Sequence, residues 1–206
     1  MKNLFIVFDG MDGCGKSTQV SLLHDYLFRK DKRIRILTTR EPTFGRYGIR
    51  IRDMLSKHKN PYSDAEVLTE LYVKDRQDHV DNLILPFLRK DTGNISMVLC
   101  DRYYYSTIAY QHAQGIPLNK LITMNKKFPR PDLAIILDLN PETAMHRITR
   151  ERAVEKFEKL EFMNELRKNF HSLKDLLDDN IKIIDTSGSE EETFAKIKRR
   201  INRLLA

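Results

Sequence analysis

A glycine-rich run near the start of the chain lies between an apolar stretch and an amphipathic one. It reads Gly10-Met11-Asp12-Gly13-Cys14-Gly15-Lys16-Ser17. It follows the apolar residues 4–8, and the amphipathic stretch starts near Thr18. This order predicts a strand, a loop and a helix, which is the context in which the pattern Gly-x4-Gly-Lys-Ser binds phosphate groups. A purely structural glycine turn is the alternative, and the strand–loop–helix context disfavours it.

Each part of this run has a chemical task. The glycines can adopt positive φ, so that backbone N–H groups surround phosphate oxygens, and the helix directs its positive end at the same anion. Lys16 offers a flexible cation to the β- and γ-phosphates, and Ser17 offers a hydroxyl to Mg²⁺. We therefore take residues 10–18 as the candidate nucleotide-binding segment and Ser17 as a candidate metal ligand.

Bulk composition limits the class of protein. A chain of 206 residues with 41% hydrophobic content suits one α/β domain, or one domain with a small lid. No apolar run approaches the roughly 20 residues of a membrane span. Because the chain begins directly with a strand pattern, we expect no secretory signal. Cys14 and Cys100 are too few for a zinc cluster and are read as reduced thiols of a cytoplasmic protein.

The formal net charge of +7 has two readings. A basic chain can bind nucleic acid. It can also be an enzyme that handles several phosphates and concentrates arginine at its site, and this second reading is favoured. Many of the other charges follow helical patterns, as in 196–203, and are typical of solvated faces.

Strand and helix patterns alternate along the chain. The predicted strands are 4–8, 34–38, 96–100, 133–139 and 181–184. Helical patterns follow Ser17 and occupy 64–90 (with a bend near Pro86), 141–152, 155–178 and 190–205. Nearly all-apolar strands separated by helices predict an open parallel sheet covered on both faces, with ligands at the carboxyl ends of the strands.

Two polar clusters directly follow predicted strands. Arg40 lies in Thr39-Arg40-Glu41-Pro42 and can present a bidentate guanidinium to phosphate; the alternative is a surface arginine paired with Glu41. Asp101, which ends an apolar strand, is placed to lie near Mg²⁺, often through water, and Arg102 beside it would face phosphate. The alternative for Asp101 is an N-cap of the following helix.

Two further clusters lie on predicted helices. Tyr72 and Arg76 share a helix face and could bind a base by stacking and hydrogen bonding; otherwise Tyr72 packs in the core and Arg76 is solvated. Arg147, Arg150 and Arg152 could close on transferring phosphates and neutralise transition-state charge. The alternative is an exposed helix with pairs such as Arg147–Glu151.

These motifs together resemble the thymidylate kinase family, which has the nucleoside-monophosphate kinase fold. The motifs are FDGMDGCGKSTQ (8–19), TREP (39–42), LYVKDR (71–76), DRYYYSTIAYQ (101–111), RPDL (130–133) and ILDL (136–139). The resemblance covers nearly the whole chain. It implies a single domain over residues 1–206, of the three-layer α/β/α P-loop class, with a five-stranded parallel sheet and a helical lid near 141–158.

The resemblance also implies roles for the nucleotide and the acceptor phosphate. The loop would hold the phosphates of ATP, and the segment 185–188 would lie beside adenine. Arg40 and Arg102 would bind the acceptor phosphate. Mg²⁺ would be held by Ser17 and, through water, by Asp101.

Further roles concern the acceptor nucleoside. Asp12 would approach the sugar 3′-hydroxyl and Tyr110 would lie near C2′. Tyr72 would take the place of the family's stacking aromatic, and Arg76 would bond a thymine carbonyl. The base edge would be lined by Ser106, Thr107 and Gln111.

The sequence departs from the family pattern at three places. Pro42 is followed by Thr43-Phe44-Gly45 where bacterial members commonly have Gly-Gly-Thr. Thr107 stands where some relatives have a longer polar residue. Gly13 occupies a position where some members carry arginine, so the compensating arginine is expected from the lid, with Arg150 ahead of Arg147 and Arg152.

The expected activity is ATP- and Mg²⁺-dependent phosphorylation of dTMP to dTDP, with Lys16, Arg102, Arg150 and Asp12 as catalytic residues. The alternatives are a deoxynucleoside kinase, a nucleic-acid-stimulated P-loop ATPase, and a nucleotide-binding regulator without turnover. The resemblance further implies a homodimer formed through long helices.

Overall fold

A computed structural model of the chain describes residues 3–57, 60–90, 93–151, 156–157 and 159–205. Five parallel strands form one sheet in these residues. The strands are β1 (Leu4–Asp9), β2 (Ile34–Arg40), β3 (Ile95–Asp101), β4 (Leu133–Asp138) and β5 (Ile181–Asp185). Their order is β2-β3-β1-β4-β5. All five lie where the apolar runs predicted them, which confirms the parallel α/β architecture.

The central strand β1 determines where the site lies. It pairs with β3 on one side, where Phe8 is level with Asp101, and with β4 on the other, where Asp9 is level with Ile136. Every residue of β1 and β3 is buried, as expected for strands covered by helices on both faces. The strand order reverses at β1, and ligands of open α/β sheets bind at such a reversal, beyond the carboxyl ends of the strands.

Nine α-helices surround the sheet in the described residues. They are α1 (Lys16–Lys30), α2 (Arg46–Lys57), α3 (Ala65–His79), α4 (Leu85–Arg89), α5 (Tyr104–Ala113), α6 (Leu118–Asn125), α7 (Pro141–Glu151), α8 (Leu160–Leu176) and α9 (Glu190–Leu205). No helix in these residues is long and apolar enough to span a bilayer.

The predicted helix 64–90 is two α-helices joined by a π-helical turn. The turn covers Val80–Ile84 and lies just before Pro86. Because proline has no N–H to donate to the preceding turn, an α-helical ladder cannot continue unchanged through Pro86. The interruption is therefore where the sequence indicated it, although it begins a turn earlier.

Helix α2 was not predicted. Tyr47, Ile51 and Met54 recur at helical spacing and face the core, but the many charged residues between them obscured the pattern. The charged stretches predicted as helices 141–152 and 155–178 correspond to α7 and α8, but the second prediction begins too early, because residues 156–157 form a turn and α8 starts at Leu160. Residues 152–155 and 158 lie outside the described residues.

Candidate active site

The glycine-rich run forms a loop between β1 and α1, as predicted. Gly10 has φ 134° and Gly13 has φ 77°. A Cβ on Gly10 would lie 2.5 Å from the Leu137 carbonyl oxygen, and one on Gly13 would lie 2.7 Å from that of Ala144. Both positions therefore require glycine, for backbone conformation and for close approach to β4 and α7.

Lys16 begins α1 and its side chain folds back over the loop. Its Nζ donates to the carbonyl oxygens of Met11 (2.7 Å) and Gly10 (3.1 Å). The ammonium group is therefore held inside the curve of the loop, which is where it would meet the phosphates of a bound nucleotide.

Ser17 and Asp101 meet at the carboxyl end of β3. The Ser17 hydroxyl donates to Oδ2 of Asp101 over 2.7 Å, whereas Oδ1 of Asp101 is buried and accepts no hydrogen bond from the described residues. The N-cap of α5 is Tyr103, so the reading of Asp101 as a helix cap is wrong. A hydroxyl and a carboxylate with an unused oxygen fit Mg²⁺, which prefers oxygen ligands. No group of three or more His, Cys, Asp or Glu side chains in the described residues could hold a metal ion.

Arg102 links the loop to α5. Its guanidinium donates to Oδ1 of Asp12 (2.6 Å), to the Ser106 hydroxyl (2.8 Å) and to the Gly10 carbonyl (3.1 Å). The Tyr110 hydroxyl donates to the other oxygen of Asp12 over 3.3 Å. The structure thus brings Arg102, which was predicted to bind phosphate, together with Asp12 and Tyr110, which were predicted to lie near the sugar. Ser106, which was predicted to line the base edge, lies beside Arg102.

Asp9 accepts hydrogen bonds from several groups in this part of the site, and its role was not predicted from the sequence. It accepts hydrogen bonds from the backbone N–H groups of Gly10, Tyr103 and Ser106 and from the Ser106 hydroxyl. Burial raises the pKa of Asp9 above its usual value, although Arg102 and these donors oppose the shift. Asp9 could have been identified from the sequence, because it ends an apolar strand just as Asp101 does.

Arg76 is buried rather than solvated, with 1% of its side chain exposed. It donates to Glu41 (2.9 Å), Asn125 (2.6 Å) and Thr107 (2.8 Å). Its guanidinium carbon lies 5.2 Å from the ring centroid of Tyr103. The alternative of a solvated Arg76 is therefore wrong, and Thr107 lies against Arg76 as a shared pocket requires.

Glu41 faces inward and does not serve as a surface partner for Arg40. One of its oxygens accepts from Arg76, and the other lies 3.0 Å from Nδ1 of His79, whose Nε2 lies 2.7 Å from the Thr39 hydroxyl. Arg40 itself is exposed. Neither His79 nor Asn125 was singled out in the sequence, because their roles depend on partners far along the chain.

Tyr72 and Gln111 are the remaining residues predicted to contact the base. Tyr72 is half-buried, and burial raises its pKa to about 12. Gln111 donates to Gln114 over 2.9 Å, while its own side-chain oxygen is buried and accepts no hydrogen bond from the described residues. An unused buried acceptor of this kind is suited to the N–H group of a base.

A cavity of about 430 Å³ lies over the glycine-rich loop, and Tyr72, Arg76 and Gln111 are not among its lining residues. Its charged lining residues are Asp12, Lys16, Arg40, Asp101, Arg102, Arg147 and Glu190, and Ser17 also lines it. A second cavity of about 710 Å³ shares Ser17, Arg40 and Asp101 with the first and continues between α1 and β2. Arg40 therefore stands where the two cavities meet.

Comparison with known proteins decides the family. The thymidylate kinase family matches residues 8–197. The chain belongs to the thymidylate kinase family. It is 37% identical over 204 residues to the probable thymidylate kinase of Pyrococcus horikoshii, an alignment that covers 96% of this chain and 95% of that protein. It is 40% identical over 170 residues to the thymidylate kinase of Desulfotalea psychrophila (82% and 80% covered) and 36% identical over 213 residues to that of Caldicellulosiruptor saccharolyticus (100% and 98% covered).

The lid arginines of this thymidylate kinase family member are described only in part. Arg147 approaches the Gly13 carbonyl (3.5 Å) and the Thr186 carbonyl (3.3 Å), and so connects the phosphate loop to the segment 185–188. Thr186 and Gly188 line the smaller cavity beside it. The side chains of Arg150 and Glu151 and all of Arg152 lie outside the described residues, so the roles predicted for Arg150 and Arg152 stay predictions.

Proposed function

We propose that this chain transfers the terminal phosphoryl group of ATP to dTMP, giving dTDP and ADP. The bond from the γ-phosphorus to the bridging oxygen of ADP breaks, and a bond to an oxygen of the dTMP phosphate forms. The observation that carries the proposal is the contact between Arg102 and Asp12. Arg102 also contacts Ser106 at the start of α5, so the contact joins the loop proposed for the donor phosphates to the helix proposed for the acceptor.

Charge neutralisation and alignment are the main tasks of this site. The acceptor is already an anion, so no strong general base is required. Lys16 and Arg102 would stabilise the transferring group, Arg40 would bind the acceptor phosphate at the junction of the two cavities, and Arg150 would add charge from the lid. Fixed cations of this kind act without reorganisation and stabilise the charge that spreads in the transition state.

Ser17 and Asp101 are proposed to hold Mg²⁺. When bound, the metal would neutralise negative charge on the phosphates of ATP. The unused Oδ1 of Asp101 and the 2.7 Å contact to Ser17 support this assignment. The two side chains can bind the ion directly or through a water molecule.

The nucleoside end of the acceptor would lie between α3 and α5. Arg76 and Gln111 would bond the thymine edge, Tyr72 would stack on the base, and Asp12 and Tyr110 would contact the sugar. Arg76 is supported on three sides by side-chain acceptors, so little entropy is lost when a base binds. Such preorganisation increases affinity.

We also propose a cytoplasmic homodimer formed through α2 and α3. Ile49 on α2 and Val67 on α3 are exposed apolar side chains, and these two helices pack on one another. Analytical ultracentrifugation would show twice the monomer mass if the proposal is correct, and replacement of Ile49 or Val67 by Glu should shift the population toward the monomer.

An assay of ADP release with ATP and Mg²⁺ tests the activity. The second component would be dTMP, dUMP, UMP, thymidine or DNA. Turnover with dTMP, weaker turnover with UMP and none with thymidine are expected. Turnover with thymidine alone would indicate a deoxynucleoside kinase, hydrolysis that depends on DNA would indicate an ATPase, and ATP binding without turnover would indicate a regulator.

A further inference from the structure

Lys156 has a buried side chain, of which 1% is exposed. Lysine is rarely buried unless its ammonium group is paired. Nζ of Lys156 donates to the Ser63 carbonyl (2.9 Å) and to the Ser63 hydroxyl (3.1 Å), and lies 3.4 Å from Oδ2 of Asp64. These contacts attach residues 156–157 firmly to the loop before α3.

The Ser63 carbonyl is a junction between three parts of the fold. It also accepts a hydrogen bond from Gln114 over 3.1 Å, at the end of α5. Asp64 directly precedes α3 with φ 62°, and its side chain makes no capping hydrogen bond to that helix. Lys156 is thereby connected to α3, which carries Tyr72, and to the helix that carries Tyr110.

Phe157 connects Lys156 to Tyr110, which is proposed to contact the sugar. Its ring packs edge-on against Tyr110 with centroids 5.2 Å apart, and it stacks on Phe162 at 5.3 Å. The hydroxyl of Tyr110 is the group that contacts Asp12. Tyr110 is therefore held at its hydroxyl by the phosphate-loop side and on its ring by Phe157.

We propose that Lys156 is a positioning residue for sugar selectivity. It holds Phe157 against Tyr110, and so keeps the Tyr110 ring in the position where it excludes a ribose 2′-hydroxyl. The inference rests on the proposed function. An added hydroxyl needs both space and a hydrogen-bonding partner. A tyrosine ring backed by a phenylalanine ring provides neither, whereas a ring that can move away provides the space.

The test compares dTMP with its ribose counterpart, 5-methyluridine 5′-monophosphate. Lys156→Met keeps the apolar stem and removes the donor, and Lys156→Arg should restore most of the function. Lys120→Met is the matched control, because Lys120 forms an exposed ion pair with Glu66 close to the same loop. In Lys156→Met we expect the ratio of kcat/KM for the two nucleotides to fall about tenfold, the size that loss of one steric discrimination allows.

A second variant keeps the inference open to disproof if Lys156→Met does not fold. Phe157→Leu leaves the contacts of Lys156 in place and should lower the same ratio. If both nucleotides lose activity equally, or if the ratio is unchanged in the folded variants, the selectivity role is overturned. A wild-type chain inactive on dTMP would instead overturn the proposed function, so the two failures are distinguishable.

Discussion

Nε of Arg76 donates to Oε2 of Glu41 over 2.9 Å, and the two side chains are 1% and 3% exposed. The second oxygen of Glu41 lies 3.0 Å from His79, while Arg76 also donates to Asn125 and Thr107. Because this pair has little access to water, removal of either charge would leave the other buried and uncompensated. The residue proposed to read the base therefore depends on a carboxylate at the end of β2.

Replacement of Glu41 by Gln should destabilise the fold and weaken dTMP binding. We expect about 3 kcal/mol of lost stability, at the lower end for breaking a buried ion pair, and a larger rise in KM for dTMP than for ATP. Urea unfolding and steady-state kinetics measure the two effects. Glu70→Gln is the control, since Glu70 pairs with Lys74 on the exposed face of α3. Unchanged stability in Glu41→Gln would contradict the argument.

Replacement of Asp101 by Asn should change the dependence on Mg²⁺ more than the fold. The amide oxygen can still accept from Ser17, but the negative charge that attracts the ion is lost. We expect the Mg²⁺ concentration for half-maximal activity to rise about tenfold, as for the loss of other groups around a metal. A titration with MgCl₂ at saturating ATP checks this, with exposed Asp81→Asn as the control. Identical titration curves for both variants would remove Asp101 from the metal site.

The sheet and the phosphate loop could be predicted because their signals are local. An apolar run such as residues 4–8 defines its own strand, and the glycine spacing defines its own loop. The network around Arg76 has no such signal, because its partners Glu41 and Asn125 are separated from it by 35 and 49 residues. Many polar residues could have met at that position, and only the packed fold selects among them. Asp9 is the intermediate case, since its place at a strand end was visible although its hydrogen bonds were not.

Acid stability should depend on Asp138, which ends β4. Burial by itself would raise the pKa of Asp138, but hydrogen bonds from Arg167 and His171 outweigh it and lower the pKa below 3.8. A lowered folded-state pKa contributes stability that is present above the unfolded pKa, near 3.8, and is lost as the pH falls through the folded value. Arg167→Met should therefore be less stable than wild type at pH 7, with a smaller difference at pH 3. Thermal unfolding across this range measures it, and a constant difference at every pH would contradict the linkage.

Replacement of Arg150 by Ala should lower kcat more than it raises KM for dTMP. Gly13 leaves the loop without the arginine that some family members have there, so we expect the lid to supply the charge that stabilises the transition state. Arginines that act in this way contribute roughly 10³–10⁵ in rate. Arg147→Ala is the matched comparison: Arg147 contacts the Gly13 and Thr186 carbonyls beside the cavity, so its loss should raise KM for ATP more than it lowers kcat. Single-turnover rates at saturating ATP and dTMP measure the effect on phosphoryl transfer, and steady-state titrations of each substrate measure the effect on KM. If Arg150→Ala keeps its rate of phosphoryl transfer and only binds dTMP more weakly, Arg150 does not act on the transferring group.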